Sequence, residues 1–174
     1  MTRRVAMNYC QELSRKLPDL TVLSLRSREP KCHGLLSSDF AEPMAKIRVL
    51  LADDHEAILA RVSRLLGEEF EIVSTVGNGR DAVIEANRLR PDVLIMDISM
   101  PILNGLEAVS QLRACNRDTK IVILTVHVDP EFVTAAFNLG ASGYVVKEQV
   151  ATDLVPAIQV CLNGGQFLSR PTGR

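Results

Sequence analysis

From Lys46 onward the chain alternates between short apolar runs and longer segments in which apolar residues recur every three to four positions. The runs have the length of β-strands and the periodic segments that of amphipathic helices, which predicts repeated βα units and a parallel sheet. The predicted strands cover residues 47–52, 71–76, 92–97, 120–125 and 143–146. The predicted helices cover residues 56–66, 79–89, 104–115, 131–139 and 152–163.

Some of the predicted strands are apolar at nearly every position, as in Ile121 to Leu124. Such strands are buried on both faces of a sheet, so helices must cover both sides. We therefore predict an α/β fold, a doubly wound (βα)5 three-layer sandwich. Right-handed crossovers bring the carboxyl ends of all its strands to one edge.

Two helix ends carry sequence signals. Gly140 follows the fourth helix, where a glycine is typical of a C-terminal cap. Thr152 or Asp153 is expected to cap the last helix, which would place Pro156 in its first turn.

Residues 1–44 show no sustained periodicity and contain scattered prolines, so we predict a disordered N-terminal extension. Met44 stands directly before the first strand, which leaves open whether residues 1–43 belong to the working protein. The folded domain is predicted over 45–165, and 166–174 are interpreted as a C-terminal tail or a truncated linker.

Composition narrows the possible partners. The chain has 20 Lys and Arg against 21 Asp and Glu, which gives a net charge of −1 and favours neither nucleic acid nor a membrane surface as a partner. No apolar run approaches the ~18 residues of a membrane-spanning helix. Arg3 and Arg4 are followed by polar residues rather than the apolar stretch of a signal peptide, so a cytoplasmic location is expected. The four cysteines show no metal-ligand spacing.

Reactive side chains follow four of the predicted strands: Asp53 and Asp54, Asp97, Thr125, and Lys147. Ligands of open α/β sheets gather at the carboxyl ends of the strands, so we expect these residues to meet. Three carboxylates suit Mg²⁺, a carboxylate can attack phosphorus, and a hydroxyl and an ammonium can hold a phosphoryl group. Taken singly, each residue also has a structural explanation, such as a helix cap, a strand residue or a solvated lysine.

Three segments carry a resemblance to a known family. The segments are residues 51–55 (LADDH), 96–105 (MDISMPILNG) and 140–147 (GASGYVVK). They resemble the receiver domain of two-component response regulators, over roughly residues 46–165. The resemblance implies a flavodoxin-like parallel sheet of five strands in the order 2-1-3-4-5. It also implies that a sensor histidine kinase or a phosphotransfer protein phosphorylates Asp97 in the presence of Mg²⁺.

The resemblance also implies roles for individual residues. Asp54 and Asp97 would bind Mg²⁺ with the backbone carbonyl of Ser99, and Asp53 would assist. The phosphoryl group would contact Thr125 and Lys147.

A phosphorylation switch is implied as well. Thr125 would move toward the phosphate and Tyr144 would rotate inward, changing a protein-interaction surface formed by the last two predicted helices and the strand between them. The resemblance further suggests a phosphorylation-dependent homodimer. The alternative interpretation of Tyr144 is that its side chain only fills the core. Ser99 and His127 occupy positions that tune the lifetime of the phosphate in this family.

The output of such a switch is left open by the sequence. Residues 163–171 resemble the stretch that follows the receiver in regulators with a C-terminal helix-turn-helix domain, and this chain has no such domain. The chain is therefore expected to bind no nucleic acid directly, and it is not expected to be an enzyme. The alternatives are a DNA-binding transcriptional regulator seen without its output domain and an adaptor that works unphosphorylated. A phosphatase of the haloacid dehalogenase type would need an aspartate at the position of Ser99.

Overall fold

The computed structural model describes residues 46–170, which form six strands and five α-helices. In chain order they are β1 Ile47–Ala52, α1 Glu56–Leu66, β2 Phe70–Val76, α2 Gly79–Leu89, β3 Val93–Met96, α3 Gly105–Cys115, β4 Lys120–Thr125, α4 Pro130–Leu139, β5 Gly143–Val146, α5 Val150–Leu162 and β6 Phe167–Leu168. The predicted N-terminal extension over 1–44 lies outside the described residues.

All six strands are parallel and lie in the order β2-β1-β3-β4-β5-β6. The order of the first five strands confirms the prediction. The sixth strand was not predicted. It pairs with β5 through Gly143 and Tyr144, and the Ser169 N–H donates to the Tyr144 carbonyl over 2.8 Å. The chain after Gly165 thus adds a strand to the sheet, while the predicted domain limits stay a prediction.

The core has two halves, one on each face of the sheet. Successive residues of a strand point to opposite faces, so each strand contributes to both halves. One half joins Leu50, Leu94 and Ile123 of the sheet to α2, α3 and α4. The other joins Val49, Leu51 and Val122 to α1 and α5. This arrangement confirms the three-layer sandwich.

The two predicted helix caps had different outcomes. Gly140 ends α4 in the left-handed conformation (φ 104°), as predicted. The predicted cap of α5 is wrong: a 3₁₀ turn over Lys147–Gln149 leads directly into a helix that begins at Val150. Pro156 therefore lies inside α5 rather than in its first turn.

The loop between β3 and α3 is held closely against the sheet. The N–H of Gly105 donates to the Ile98 carbonyl over 2.8 Å, and a Cβ atom at this position would overlap the Asp97 carbonyl. Gly79 makes a similar approach to the carbonyl of Leu103. Because neither contact leaves room for a side chain, the glycines fix the loop that follows Asp97.

Among the helices of residues 46–170, none combines the length and the apolar character needed to cross a bilayer.

Candidate functional site

A buried ion-pair cluster lies at the carboxyl edge of the sheet. The N–H of Asp97 donates to the Ala52 carbonyl over 2.9 Å, which sets the ends of β3 and β1 side by side. Lys147 Nζ lies 2.6 Å from Asp53 Oδ2 and 2.8 Å from Asp97 Oδ2. The side chains of both aspartates are no more than 5% exposed, and that of Lys147 is 10% exposed. One ammonium thus bridges two buried carboxylates.

Hydrogen bonds and charge hold this cluster in place. The second oxygen of Asp97, Oδ1, accepts the Ile98 N–H over 2.7 Å. Burial lowers the pKa of the Lys147 ammonium, but its contacts with the two carboxylates outweigh burial and raise that pKa above its ordinary value. Lys147 is therefore positively charged at neutral pH and offsets one of the two negative charges.

Asp54 and His55 extend the cluster toward solvent. Nδ1 of His55 lies 2.7 Å from Asp54 Oδ1 and 3.3 Å from Asp53 Oδ1. The backbone N–H of His55 also donates to Asp53 Oδ1, over 2.9 Å. Asp53 therefore has one oxygen toward Lys147 and the other toward His55. The pattern of strand ends pointed to the aspartates, but it gave no role to His55.

These carboxylates fit a divalent cation. Asp53, Asp54 and Asp97 bring three carboxylates to one edge of the sheet, and the single ammonium of Lys147 leaves a negative excess. Hard oxygen donors of this kind are the ligands that Mg²⁺ takes in proteins. The residues present therefore suit the magnesium site that the resemblance implies. The predicted contribution of the Ser99 carbonyl stays a prediction.

Thr125 is fully buried at the end of β4. Its strand neighbour on β5 is Val146, the residue before Lys147, so Thr125 reaches the same edge of the sheet. Its Oγ1 accepts the His127 N–H over 3.3 Å.

His127 connects several parts of this edge through contacts that no sequence motif predicted. Its Nε2 lies 2.9 Å from the Ser99 Oγ, and its ring stacks on Phe132 of α4 with 4.5 Å between ring centroids. Its backbone carbonyl accepts the Tyr144 hydroxyl over 2.9 Å. His127 therefore contacts both predicted switch residues, the loop after Asp97 and α4.

Tyr144 lies inside the protein. Its side chain is fully buried, and only its hydroxyl reaches the loop after β4, through the bond to His127. Burial and the charges of Asp129 and Asp97 raise the pKa of its phenol from 10.0 to about 12. The tyrosine is therefore neutral at physiological pH and acts as a hydrogen-bond donor.

The structure thus places Lys147 in direct contact with both Asp53 and Asp97. Asp54 joins them through His55, and Thr125, Ser99 and Tyr144 meet at His127. Chemically, the arrangement offers a buried carboxylate nucleophile beside a fixed cationic group, an acidic cation site and a hydroxyl.

Comparison with known proteins gives a family match. Residues 49–159 match the family model described as the response regulator receiver domain. The transcriptional regulatory protein DegU of Brevibacillus brevis is 38% identical over 125 residues, which cover 71% of this chain and 53% of DegU. The chain spans little more than half the length of the curated relatives it matches.

Solved structures agree with this match. The signal receiver domain of the putative response regulator NarL from Mycobacterium tuberculosis is 28% identical, with a TM-score of 0.65, and the match covers 68% of this chain and 98% of that one. The isolated receiver domain of RcsB from Salmonella enterica serovar Typhimurium, solved with the phosphomimetic BeF3⁻, is 25% identical. Its TM-score is 0.66, and the match covers 72% of this chain and 95% of that one.

Proposed function

Because this chain belongs to the response regulator receiver domains of two-component systems, we propose that it is switched by phosphorylation of Asp97. The phosphoryl group would come from a sensor histidine kinase or a phosphotransfer protein. The observation that carries the proposal is the ion-pair cluster, in which Lys147 Nζ lies 2.8 Å from Asp97 Oδ2 and 2.6 Å from Asp53 Oδ2. In this buried cluster the Asp97 carboxylate can act as a nucleophile, and the Lys147 ammonium beside it can bind a phosphoryl group.

The phosphoryl transfer assigns a task to each residue. A carboxylate oxygen of Asp97 attacks phosphorus, a P–O bond forms and the bond from phosphorus to the donor histidine breaks, so that Asp97 becomes an acyl phosphate. Lys147 and Thr125 hold the oxygens of the transferred group by charge and by hydrogen bonding. Asp53, Asp54, Asp97 and the Ser99 carbonyl would hold Mg²⁺. When bound there, the cation would neutralise charge on the transferring group.

Members of this family are signalling domains, and we propose that this chain likewise is not an enzyme that turns over a small-molecule substrate. Ser99 supports this choice over a phosphatase that uses Asp97 as its nucleophile. Phosphatases of the haloacid dehalogenase type use a second aspartate at this position as general acid. A serine hydroxyl, with its much higher pKa, does not replace it.

The switch would spread from Thr125 through His127. Movement of the Thr125 hydroxyl toward a phosphate breaks its bond with the His127 N–H and alters the loop that also accepts the Tyr144 hydroxyl. Because His127 stacks on Phe132, the change would reach α4 and the adjoining surface of β5 and α5.

We propose that this surface binds a protein partner. The exposed residues of α5 are all uncharged: Ala151, Thr152, Pro156, Gln159 and Val160. Leu168 of β6 is 48% exposed. Since α4 exposes Glu131, only the α5 part of this surface is uncharged. That part is easily desolvated, which suits a protein contact. A phosphorylation-dependent homodimer and a cytoplasmic location remain part of the proposal.

The alternative is that the sequence is the receiver part of a DNA-binding transcriptional response regulator with a helix-turn-helix output domain. It is supported by DegU, a transcriptional regulatory protein of which the match covers 53%. In either case the described residues would act through protein contacts rather than by binding DNA.

Phosphate labelling tests the proposal. Incubation with acetyl phosphate and Mg²⁺ is expected to add one phosphoryl group by intact-mass spectrometry, and Asp97→Asn is expected to abolish the addition. Asp118→Asn is the matched control, because Asp118 is an exposed aspartate in the loop before β4, at the other end of the sheet. Equal labelling of Asp97→Asn and the wild type would refute the assignment.

A further inference from the structure

The position of His55 offers a further ligand to the cation site. His55 stands between β1 and α1 at the N-cap of that helix, where its side chain makes no capping hydrogen bond. Instead, Nδ1 faces two carboxylate oxygens, 2.7 Å from Asp54 Oδ1 and 3.3 Å from Asp53 Oδ1. The side chain is therefore free of a structural task in the helix and is directed at the acidic cluster.

The spacing of these atoms suits ligation of one ion. When the bonds from an octahedral ion to its ligand atoms are 2.0–2.1 Å long, adjacent ligand atoms lie about 3.0 Å from each other. The two distances from His55 Nδ1, 2.7 Å and 3.3 Å, lie on either side of this value. The backbone bond from His55 to Asp53 fixes the loop that carries these ligand atoms.

The imidazole nitrogen of His55 changes which metal ion the site is expected to prefer. Mg²⁺ takes oxygen ligands and gains little from an imidazole, whereas first-row transition ions bind imidazole well. We propose that His55 is a direct ligand of the bound cation and makes the site selective for Mn²⁺ and related transition ions over Mg²⁺. The inference rests on the cation site of the proposed function and adds to it a residue that decides which ion is held.

The competing explanation is an exposed ion pair between His55 and Asp54. The His55 side chain is 66% exposed and that of Asp54 is 33% exposed, and pairs of this kind contribute little to stability. In that case the imidazole would not touch the ion. The two explanations differ in whether nitrogen is bonded to the metal.

Pulsed electron paramagnetic resonance of the protein with Mn²⁺ reads this bond directly. The wild type is expected to show ¹⁴N modulation of the Mn²⁺ echo from a coordinated imidazole. His55→Gln should lose this modulation, and His127→Gln should keep it. Absence of the nitrogen signal in the wild type would overturn the proposal without reference to any variant.

Binding affinities supply the second measurement. His55→Gln is expected to weaken Mn²⁺ binding about tenfold, at the lower end of the effects seen when the surroundings of a metal are altered. Mg²⁺ binding should be nearly unchanged. If His55→Gln weakens Mn²⁺ and Mg²⁺ binding equally, His55 only orders the loop, and the proposed selectivity is overturned.

Labelling of Asp97 separates this inference from the proposed function. Phosphorylation with Mg²⁺ but no nitrogen signal with Mn²⁺ would remove His55 from the metal site and leave the signalling proposal intact. A nitrogen signal with Mn²⁺ but no phosphorylation of Asp97 would refute the signalling proposal and leave His55 as a ligand of the metal site.

Discussion

At the scale of a single residue, Lys147 compensates the negative charge of the site. Two carboxylates buried side by side repel each other, and the ammonium between them removes most of that repulsion. The same group is proposed to hold the phosphoryl oxygens, so its position serves both stability and chemistry. Removing one partner of a buried ion pair is costly because it leaves the remaining charges uncompensated.

We therefore expect Lys147→Met to destabilise the protein. The free energy of unfolding should fall by about 3 kcal/mol, the scale of a broken buried pair. Addition of Mg²⁺ should recover more of this energy in the variant than it adds to the wild type, since the cation supplies the missing positive charge. Urea unfolding followed by circular dichroism, with and without MgCl₂, measures both effects.

Lys46→Met is the matched control, because Lys46 is exposed at the start of the described chain. Its free energy of unfolding should stay within about 0.5 kcal/mol of the wild type. If Lys147→Met unfolds like this control in the absence of Mg²⁺, the ammonium does not compensate the buried carboxylates.

At the scale of elements, the start of α3 fixes the loop behind Asp97. Gly105 approaches the Asp97 and Ile98 backbone so closely that any side chain must push the helix away from β3. The displacement would also move the loop that carries Ser99. A single glycine therefore links the packing of a helix to the geometry of the site.

Gly105→Ala is expected to lower the free energy of unfolding by about 1–3 kcal/mol, as overpacking does, and to reduce acetyl phosphate labelling of Asp97. Gly77→Ala is the control, because Gly77 has open space around it and an ordinary backbone conformation. It should label like the wild type. Denaturant unfolding and intact-mass spectrometry of both variants provide the comparison, and equal behaviour would contradict the packing argument.

The same scale explains what the sequence could predict of the fold. β1 to β5 were predictable because each is an apolar run followed by a helix with a clear period. β6 has only two residues, Phe167 and Leu168, which is too short for any period. The capping signal of Thr152 predicts too late a start for α5, because the 3₁₀ turn over Lys147–Gln149 already leads into a helix that begins at Val150.

The contacts of the candidate site also differ in how far the sequence could predict them. Strand ends predicted that Asp53, Asp97 and Lys147 would meet, because parallel topology brings those ends to one edge. The bond between Ser99 and His127 joins residues 28 positions apart, and it depends on how two loops fold over the sheet. No spacing in the sequence encodes such a contact.

For the whole molecule, buried acids on different elements make stability depend on alkaline pH. Burial, followed by the charges of Asp129 and Asp97, raises the pKa of Tyr144 from 10.0 to about 12. Burial raises the pKa of Cys161 on α5 from 9.0 to about 11. Both groups hold their protons more tightly in the folded protein than in the unfolded chain. The pKa of Lys147 is also raised, which acts in the same direction above 10.5.

The sign of the pH effect follows from this difference. Above pH 9 the unfolded chain releases protons before the folded protein does, and proton release from the unfolded state favours unfolding. Stability present below pH 9 is therefore expected to decline as the pH rises through about 11 for Cys161 and about 12 for Tyr144. Each group should contribute roughly 2 kcal/mol to the decline.

Urea unfolding at increasing pH measures this decline. Cys161→Ala and Tyr144→Phe each remove one of the two titrating groups, so each variant should lose less stability between pH 9 and pH 12 than the wild type, whatever its stability at neutral pH. Comparing slopes rather than absolute values separates titration from the packing cost of each substitution. A wild-type slope that neither variant reduces would show that these two buried protons do not control the alkaline limit of the fold.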